Sequence, residues 1–162
     1  MDYTLPKWWK EGDTLRILYS CKLNPDNAIE GIKQYINWIS YNYGKPLGPN
    51  AKKLLYEGSI ALISRTKNSR KPIIYIDFRD LETLEKMEDT ANTFIYLMFL
   101  IREWMCIPGI IEHCVVIMNL RAKNSFNIGR TFKLILDIIN NSFYAMVDQI
   151  FLYNISSSMK YF

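Results

Sequence analysis

Histidine and cysteine are scarce in this chain of 162 residues, and this argues against several kinds of site. The only histidine is His113, so there is no histidine pair for a metal and no ordinary catalytic triad. Cys21, Cys106 and Cys114 are odd in number and form no CxxC motif, which favours reduced thiols in the cytosol over a disulfide framework. We expect a structural role for His113 and small buried hydrophobic side chains at Cys106 and Cys114.

Glycine-rich phosphate-binding loops are also missing. Neither GxGxxG nor GxxxxGK[ST] occurs at a strand–helix junction, so nothing indicates a bound nucleotide. Asp77 and Asp80 lie near the C-terminal end of a predicted strand, where sites of α/β proteins often lie, but two isolated carboxylates are more typical of a charged loop. The sequence therefore predicts no catalytic residue, no metal, no cofactor and no enzymatic activity.

Long apolar runs are absent as well. Residues 1–7 lack the apolar core of a signal peptide. The longest uncharged, apolar-rich run is Thr90–Ile101, whose twelve residues are fewer than the roughly 20 that a membrane span needs. We expect a cytoplasmic protein that does not cross membranes, with peripheral membrane association left open.

Positive charge is concentrated in the first half of the chain. Residues 1–72 hold 12 Lys and Arg against 6 Asp and Glu, and residues 73–162 hold 8 against 10. A basic region can face an anionic membrane or nucleic acid, but it is also typical of a solvated helical face. No nucleic-acid motif accompanies it, so no nucleic-acid partner is expected. Trp8 and Trp9, between lysines, indicate either an interfacial anchor or a terminal segment packed on its own domain.

Apolar residues make up 49% of the chain, enough for one domain with a sizeable core. The β-branched and aromatic run Lys71–Phe78 predicts a buried strand. Gly58–Arg65 predicts a second strand, and the polar turn 66–70 between them predicts a hairpin. The alternation of helix and strand beyond this hairpin indicates parallel crossovers and a sheet covered by helices.

Three helices are predicted before the hairpin. The first begins with Asp13 as its N-cap and ends at Cys21. Asn24-Pro25-Asp26 predicts the start of the second helix, and residues 51–57 form the third. Apolar residues at helical spacing are expected to face inward from the first two helices: Leu15, Ile17, Leu18, Ala28, Ile29, Ile32, Ile36 and Ile39.

Two further helices and two strands are predicted after the hairpin. A helix begins in the acidic segment 80–89 and is apolar all round from Phe94 to Ile101, which indicates burial on every side. Cys114–Leu120 follows as a strand buried on both faces. Ser125 is a plausible N-cap for the last helix, and Ile150–Asn154 is the last strand. The apolar stripe of that last helix comprises Ile128, Phe132, Ile135, Leu136, Ile139 and Phe143.

The order of these elements resembles the CRAL-TRIO, or Sec14-like, lipid-binding family. Thr14–Leu23 is similar to the family segment "LLRFLRARKF", and Asp26–Trp38 to the helix after it. Arg65–Tyr75 is similar to the hairpin "DKxGRPVxY". Val115–Leu120 is similar to "xxIxDL", with Asn119 in place of the usual Asp. Ile150–Asn154 is similar to the strand that ends in "NAP", with Ile155-Ser156 in place of Ala-Pro.

The resemblance implies an α/β fold in two parts. Residues 1–57 would form a small N-terminal helical subdomain, and residues 58–162 a mixed, mainly parallel sheet flanked by helices. In the family, one face of the sheet is covered by helices, and the other forms a lipid pocket closed by a mobile helix. By strand alternation and this resemblance, we expect the following pocket wall: Ile74, Ile76, Phe78, Cys114, Val116 and Met118.

The function that the resemblance implies is non-enzymatic binding of a hydrophobic lipid, phospholipid or isoprenoid-like, and its transfer between cytosol and membranes. Two departures keep an alternative open. Tyr144-Ala145-Met146 stands where phosphatidylinositol-transfer members carry Pro-Glu-Arg, and the family continues past "NAP" into a gate helix. An open apolar face would then need a membrane, a partner or a second copy of the chain. The alternative is a protein-interaction scaffold without lipid, for example for small GTPases.

Overall fold

The computed structural model of the protein describes residues 5–81, 84–121 and 125–155, and its centre is a four-stranded sheet. The strands, in sheet order, are β1 (Ile60–Arg65), β2 (Pro72–Asp77), β3 (Cys114–Asn119) and β4 (Val147–Tyr153). β1 pairs antiparallel with β2, whereas β2, β3 and β4 are parallel to one another. This confirms the predicted mixed, mainly parallel sheet.

The described residues form five α-helices: α1 (Glu11–Ser20), α2 (Pro25–Asn42), α3 (Pro49–Tyr56), α4 (Leu84–Leu100) and α5 (Ser125–Ser142). A 3₁₀ turn, Phe78–Asp80, follows β2, and a π-helix, Ile101–Met105, continues α4. The side chains of Ser125 and Ile128 lie outside the described part of the chain.

Two helix starts show how the local sequence sets the boundaries. The Asn24 side chain accepts a hydrogen bond of 3.1 Å from the Asn27 N–H, and Pro25 occupies the first helical position, so α2 begins as predicted. The prediction that Asp13 caps α1 is wrong. The helix begins at Glu11, and the Asp13 carboxylate accepts a hydrogen bond of 3.1 Å from the N–H of Lys10, the residue before it.

The inward faces of α1 and α2 also differ from the prediction. Leu15 is exposed, because α1 buries Asp13 and Ile17 instead. Ile29 is exposed, because the buried stripe of α2 contains Ala28, Gly31, Tyr35 and Ile39. Gly31 allows this close packing: a Cβ added there would lie 3.0 Å from a methyl carbon of Ile17 on α1. The stripe is set by the contact between the two helices, which the spacing of isoleucines in the sequence does not reveal.

A buried ion pair connects the N-terminal segment to the π-helix. The Arg102 guanidinium, only 1% exposed, pairs with the Asp13 carboxylate and donates a hydrogen bond of 3.1 Å to the Trp8 carbonyl. Trp8 and Trp9 pack against the core, and the Trp9 ring lies 5.8 Å from Tyr35. The packed-segment interpretation of the two tryptophans is therefore the one that the structure shows.

The crossover helices α4 and α5 lie on the same face of the sheet. Both connect neighbouring parallel strands, β2 to β3 and β3 to β4, and both steps go in the same direction. Because such crossovers are right-handed, both helices are placed on one side, which we call the first face. The main core lies there, between the sheet and residues of α4 and α5 such as Phe94, Met98, Ile135 and Ile139. None of the described helices is long and apolar enough to cross a membrane.

Candidate functional site

The six side chains predicted to form a pocket wall lie together on the first face. Ile74 pairs in register with Val116, and Ile76 with Met118, as strand alternation predicts. Phe78 follows β2 in the 3₁₀ turn, and Cys114 begins β3, with its Sγ 3.8 Å from the Sδ of Met98 on α4. All six are completely buried in the core cluster beneath α4 and α5. Their contact with a ligand remains a prediction.

Burial also sets the chemistry of the cysteines in this region. It raises the pKa of the Cys114 thiol to about 12, so this side chain is a poor nucleophile at neutral pH. Cys106 is only half-buried, contrary to the expectation of a buried side chain, because it follows the π-helix at the edge of the core. Its pKa is raised by burial as well. No three His, Cys, Asp or Glu side chains in the described ranges are placed to hold a metal ion.

The opposite side of the sheet, which we call the second face, carries the alternate residues of the strands. The described helices pack on the first face or on one another, so none of them covers the second. Three in-register rows of side chains cross it: Ile73, Val115 and Gln149; then Ala61, Tyr75, Ile117 and Phe151; then Asp77, Asn119 and Tyr153. The first two rows are mainly apolar, and the last is polar.

The polar row forms a hydrogen-bond network at the carboxyl ends of the three parallel strands. Asp77 is buried, and its carboxylate accepts hydrogen bonds from the Tyr75 hydroxyl at 2.9 Å and from the Asn119 amide at 3.2 Å. The Arg79 guanidinium reaches the same carboxylate, with its Nη2 at 2.7 Å and its Nε at 2.9 Å. The hydroxyls of Tyr75 and Tyr153 lie 2.9 Å apart. Because these tyrosines stand on β2 and β4, their rings lean toward each other across β3.

Asn119 occupies the centre of this network. Its amide nitrogen donates to Asp77, while its amide oxygen accepts from the Asn154 side chain at 2.9 Å and from the Arg121 N–H at 3.2 Å. An aspartate, which the family motif usually has here, could not donate to Asp77 and would place a second carboxylate beside it. The replacement of the usual aspartate by Asn119 therefore fits the buried charge of Asp77.

The network also sets the protonation of its members. Burial alone would raise the pKa of Asp77, but the hydrogen bonds from Arg79, Tyr75 and Asn119 outweigh it, so the pKa lies below its ordinary value. Asp77 is thus a carboxylate at neutral pH. Burial, the contact with Tyr153 and the nearby Asp77 raise the pKa of Tyr75 to about 12, so this phenol stays protonated.

Sequence reasoning did not identify this network. The two isolated carboxylates Asp77 and Asp80 predict a charged loop, whereas Asp77 is the last residue of β2 and is buried. A signal was present in the sequence, because each of the three strands ends in a polar residue: Asp77, Asn119 and Tyr153. Tyr75 lies two residues before Asp77 and therefore on the same face of β2. Only the parallel pairing of the three strands shows that these ends meet.

A separate groove lies on the outer side of α4. It has a volume of about 340 Å³ between the loop around Lys45 and the helix, and its lining includes Tyr43, Tyr96, Phe99 and Trp104. It shares no lining residue with either face of the sheet.

Comparison with known proteins identifies the family. A family model described as the CRAL/TRIO domain matches residues 56–162, about two thirds of the chain. The chain belongs to the CRAL/TRIO family. Members of the CRAL/TRIO family are generally non-enzymatic proteins that bind hydrophobic lipids. A search of curated proteins with the sequence gave no match.

A solved structure supports the same CRAL/TRIO fold. The structure titled "Crystal structure of Sfh5" matches with a TM-score of 0.72 over 96% of this chain, at 9% sequence identity. The match covers 59% of the Sfh5 chain, so this protein spans a little over half of that length. At this identity the likeness shows the fold alone. The division into a helical subdomain 1–57 and a CRAL/TRIO-like part 58–162 remains a prediction.

Proposed function

We propose that this chain binds a hydrophobic lipid, phospholipid or isoprenoid-like, against its sheet and carries it between the cytosol and membranes. This proposal rests on the apolar side chains that are left uncovered on the second face of the sheet. Phe151 is 52% exposed there, beside the half-buried Ile117 and Tyr75, and no described helix lies over them. Covering such a surface with an acyl or isoprenoid chain gains about 25 cal/mol for each Å² of apolar area removed from water.

The first face is the alternative location for the lipid tail. The wall predicted from the sequence, which includes Ile74 and Val116, would reach a ligand only if α4 or α5 moved away from the sheet. Protein interiors are packed as densely as organic crystals, so this opening would separate well-fitted side chains. A lipid that carries a photoreactive diazirine in its tail would distinguish the two faces. We expect crosslinks to Ile117 and Phe151, and crosslinks to Val116 would favour the first face.

Native mass spectrometry of the freshly purified protein, followed by lipid extraction, tests the proposal directly. We expect an added mass of lipid size, and transfer of a fluorescent lipid analogue between vesicles. The variant Phe151→Asp should lose most of the retained lipid, because it places a charge on the second face. Ile29→Asp is the matched control: Ile29 is 53% exposed, on α2, away from the sheet.

Other results would point elsewhere. A monomer that takes up no lipid, even after incubation with liposomes, would contradict lipid transfer and favour a protein-interaction scaffold. A mass of two chains without lipid would indicate that a second copy covers the second face. Equal lipid retention by Phe151→Asp and Ile29→Asp would indicate that the ligand does not bind to the second face.

Transfer also requires contact with a membrane surface, and we propose that the segment after α4 provides it. Trp104 is 81% exposed on the π-helix, and Ile107 and Ile110 are exposed on the turn that follows. Tryptophan prefers the membrane–water boundary, and exposed apolar side chains on a turn can enter the headgroup region. This segment precedes β3, so it lies at the opposite end of that strand from the polar network.

A further inference from the structure

The direction of the hydrogen bonds in the polar network shows what it offers to a ligand. Asp77 is a carboxylate and can only accept, so the hydrogen bond of 2.9 Å from Tyr75 uses the single proton of that hydroxyl. The Tyr75 oxygen must then be the acceptor in its 2.9 Å contact with Tyr153. The proton of Tyr153 is therefore directed at Tyr75.

This arrangement leaves an acceptor at the end of the chain of hydrogen bonds. No residue in the described ranges donates to the Tyr153 oxygen, and the residue is 39% exposed. A hydroxyl that donates to an anionic network becomes a better acceptor, because consecutive hydrogen bonds polarise one another. The Tyr153 oxygen thus offers a ligand lone pairs and no proton.

The position of this acceptor relates it to the lipid surface. Tyr153 stands in the polar row, one row beyond the apolar Ile117 and Phe151. A ligand whose tail covers the apolar rows would bring its head group to the tyrosine pair. The Arg79 guanidinium contacts the Asp77 carboxylate at 2.7 Å and 2.9 Å. Together Arg79 and Asp77 therefore carry no net charge that would attract a phosphate.

We infer that the ligand's head group is a neutral hydrogen-bond donor, a hydroxyl, which donates to the Tyr153 oxygen at the end of the Tyr153–Tyr75–Asp77 chain. This inference rests on the proposed lipid-binding function and specifies the ligand class within it: a hydrophobic alcohol rather than a phosphate ester.

A pair of probes that differ only in the donor tests the inference. The probes are 1-pyrenedecanol and its methyl ether, with binding followed by pyrene fluorescence. We expect the wild-type protein to prefer the alcohol by about 2- to 10-fold, the worth of one net hydrogen bond. Tyr153→Phe keeps the ring and removes the acceptor, so the preference should fall to about one. Tyr96→Phe is the matched control, since Tyr96 is 38% exposed on α4, and should keep the preference.

The outcomes separate the inference from the proposed function. Equal binding of the alcohol and the ether by wild type would overturn the donor head group while leaving lipid binding intact. An unchanged preference in Tyr153→Phe would also overturn it. If neither probe binds, the result contradicts both the proposed lipid binding and the hydroxyl head group. Binding of the corresponding alkyl phosphate more tightly than the alcohol would overturn the inference in favour of an anionic head group. Each preference is a ratio measured on one protein, so a partly unfolded variant does not mimic the expected result.

Discussion

Removal of the Asp13 charge should destabilise the protein strongly, because it leaves a buried guanidinium without its partner. Arg102 is 1% exposed, and Asp13 accepts its Nε–H at 3.2 Å in addition to the closer contact with Nη2. The perturbation is Asp13→Asn, which keeps the shape of the side chain. Loss of one partner of a buried ion pair costs about 3–5 kcal/mol, whereas exposed pairs contribute about 0.2–1 kcal/mol.

The surroundings of the pair place the expected cost at the lower end of this range. Glu103 also contacts Arg102 and still balances part of its charge in the variant. Arg16, whose Nη1 lies 3.5 Å from Asp13, would lose a partner as well, and this keeps the cost from falling below the range. We therefore expect about 3 kcal/mol, which is a large share of the roughly 5–15 kcal/mol that stabilises a typical domain.

Urea unfolding followed by tryptophan fluorescence measures this cost, since the Trp8 ring lies 5.9 Å from the Arg102 guanidinium carbon. Glu57→Gln, in the exposed pair with Lys53, is the control and should cost less than about 1 kcal/mol. Replacing Asp13 and Arg102 together by Leu and Met should recover most of the loss, because an apolar pair needs no counter-charge. A cost of Asp13→Asn no greater than that of Glu57→Gln would refute the reasoning.

Three further predictions concern the sheet and the segment after α4. Because the pKa of Asp77 is lowered in the folded protein, its carboxylate stabilises the fold at pH values above the pKa of the unfolded state. The difference in unfolding free energy between wild type and Asp77→Asn should therefore shrink as the pH falls through about 4. Urea titrations at a series of pH values measure this difference, and a difference that grows on acidification would contradict the prediction. Iodoacetamide should label the half-buried Cys106 in the native protein but Cys114 only after unfolding, as peptide mass spectrometry can show; equal labelling would mean that α4 opens readily. Trp104→Ala should reduce co-sedimentation with liposomes several-fold. Tyr56→Ala, which removes an aromatic ring that is 90% exposed on α3, should not reduce it. Equal losses in the two variants would mean that Trp104 has no specific role in membrane binding.

The local sequence was sufficient to predict the strands, the hairpin that joins the first two, and the mixed sheet. The run at β2, the turn 66–70 and the alternation of helices and strands predicted a mixed sheet, and the structure confirms it. Alternation also predicted that Ile76 and Met118 share a face, and they are partners in register. These features depend on residues close together in sequence or on a period of two, which a single chain displays.

The sequence alone determined the class of fold, the family and the apolar character of both sides of the sheet. Tertiary structure decided the rest. Strands that are apolar on both sides do not show which side the helices will cover; the handedness of two successive crossovers places α4 and α5 over Ile74 and Val116. Likewise, Asp77 and Tyr153 lie far apart along the chain and form one network only because three parallel strands end at the same edge. A charged or aromatic side chain at the end of a strand acquires its partners from neighbouring strands, and those partners exist only once the sheet has formed.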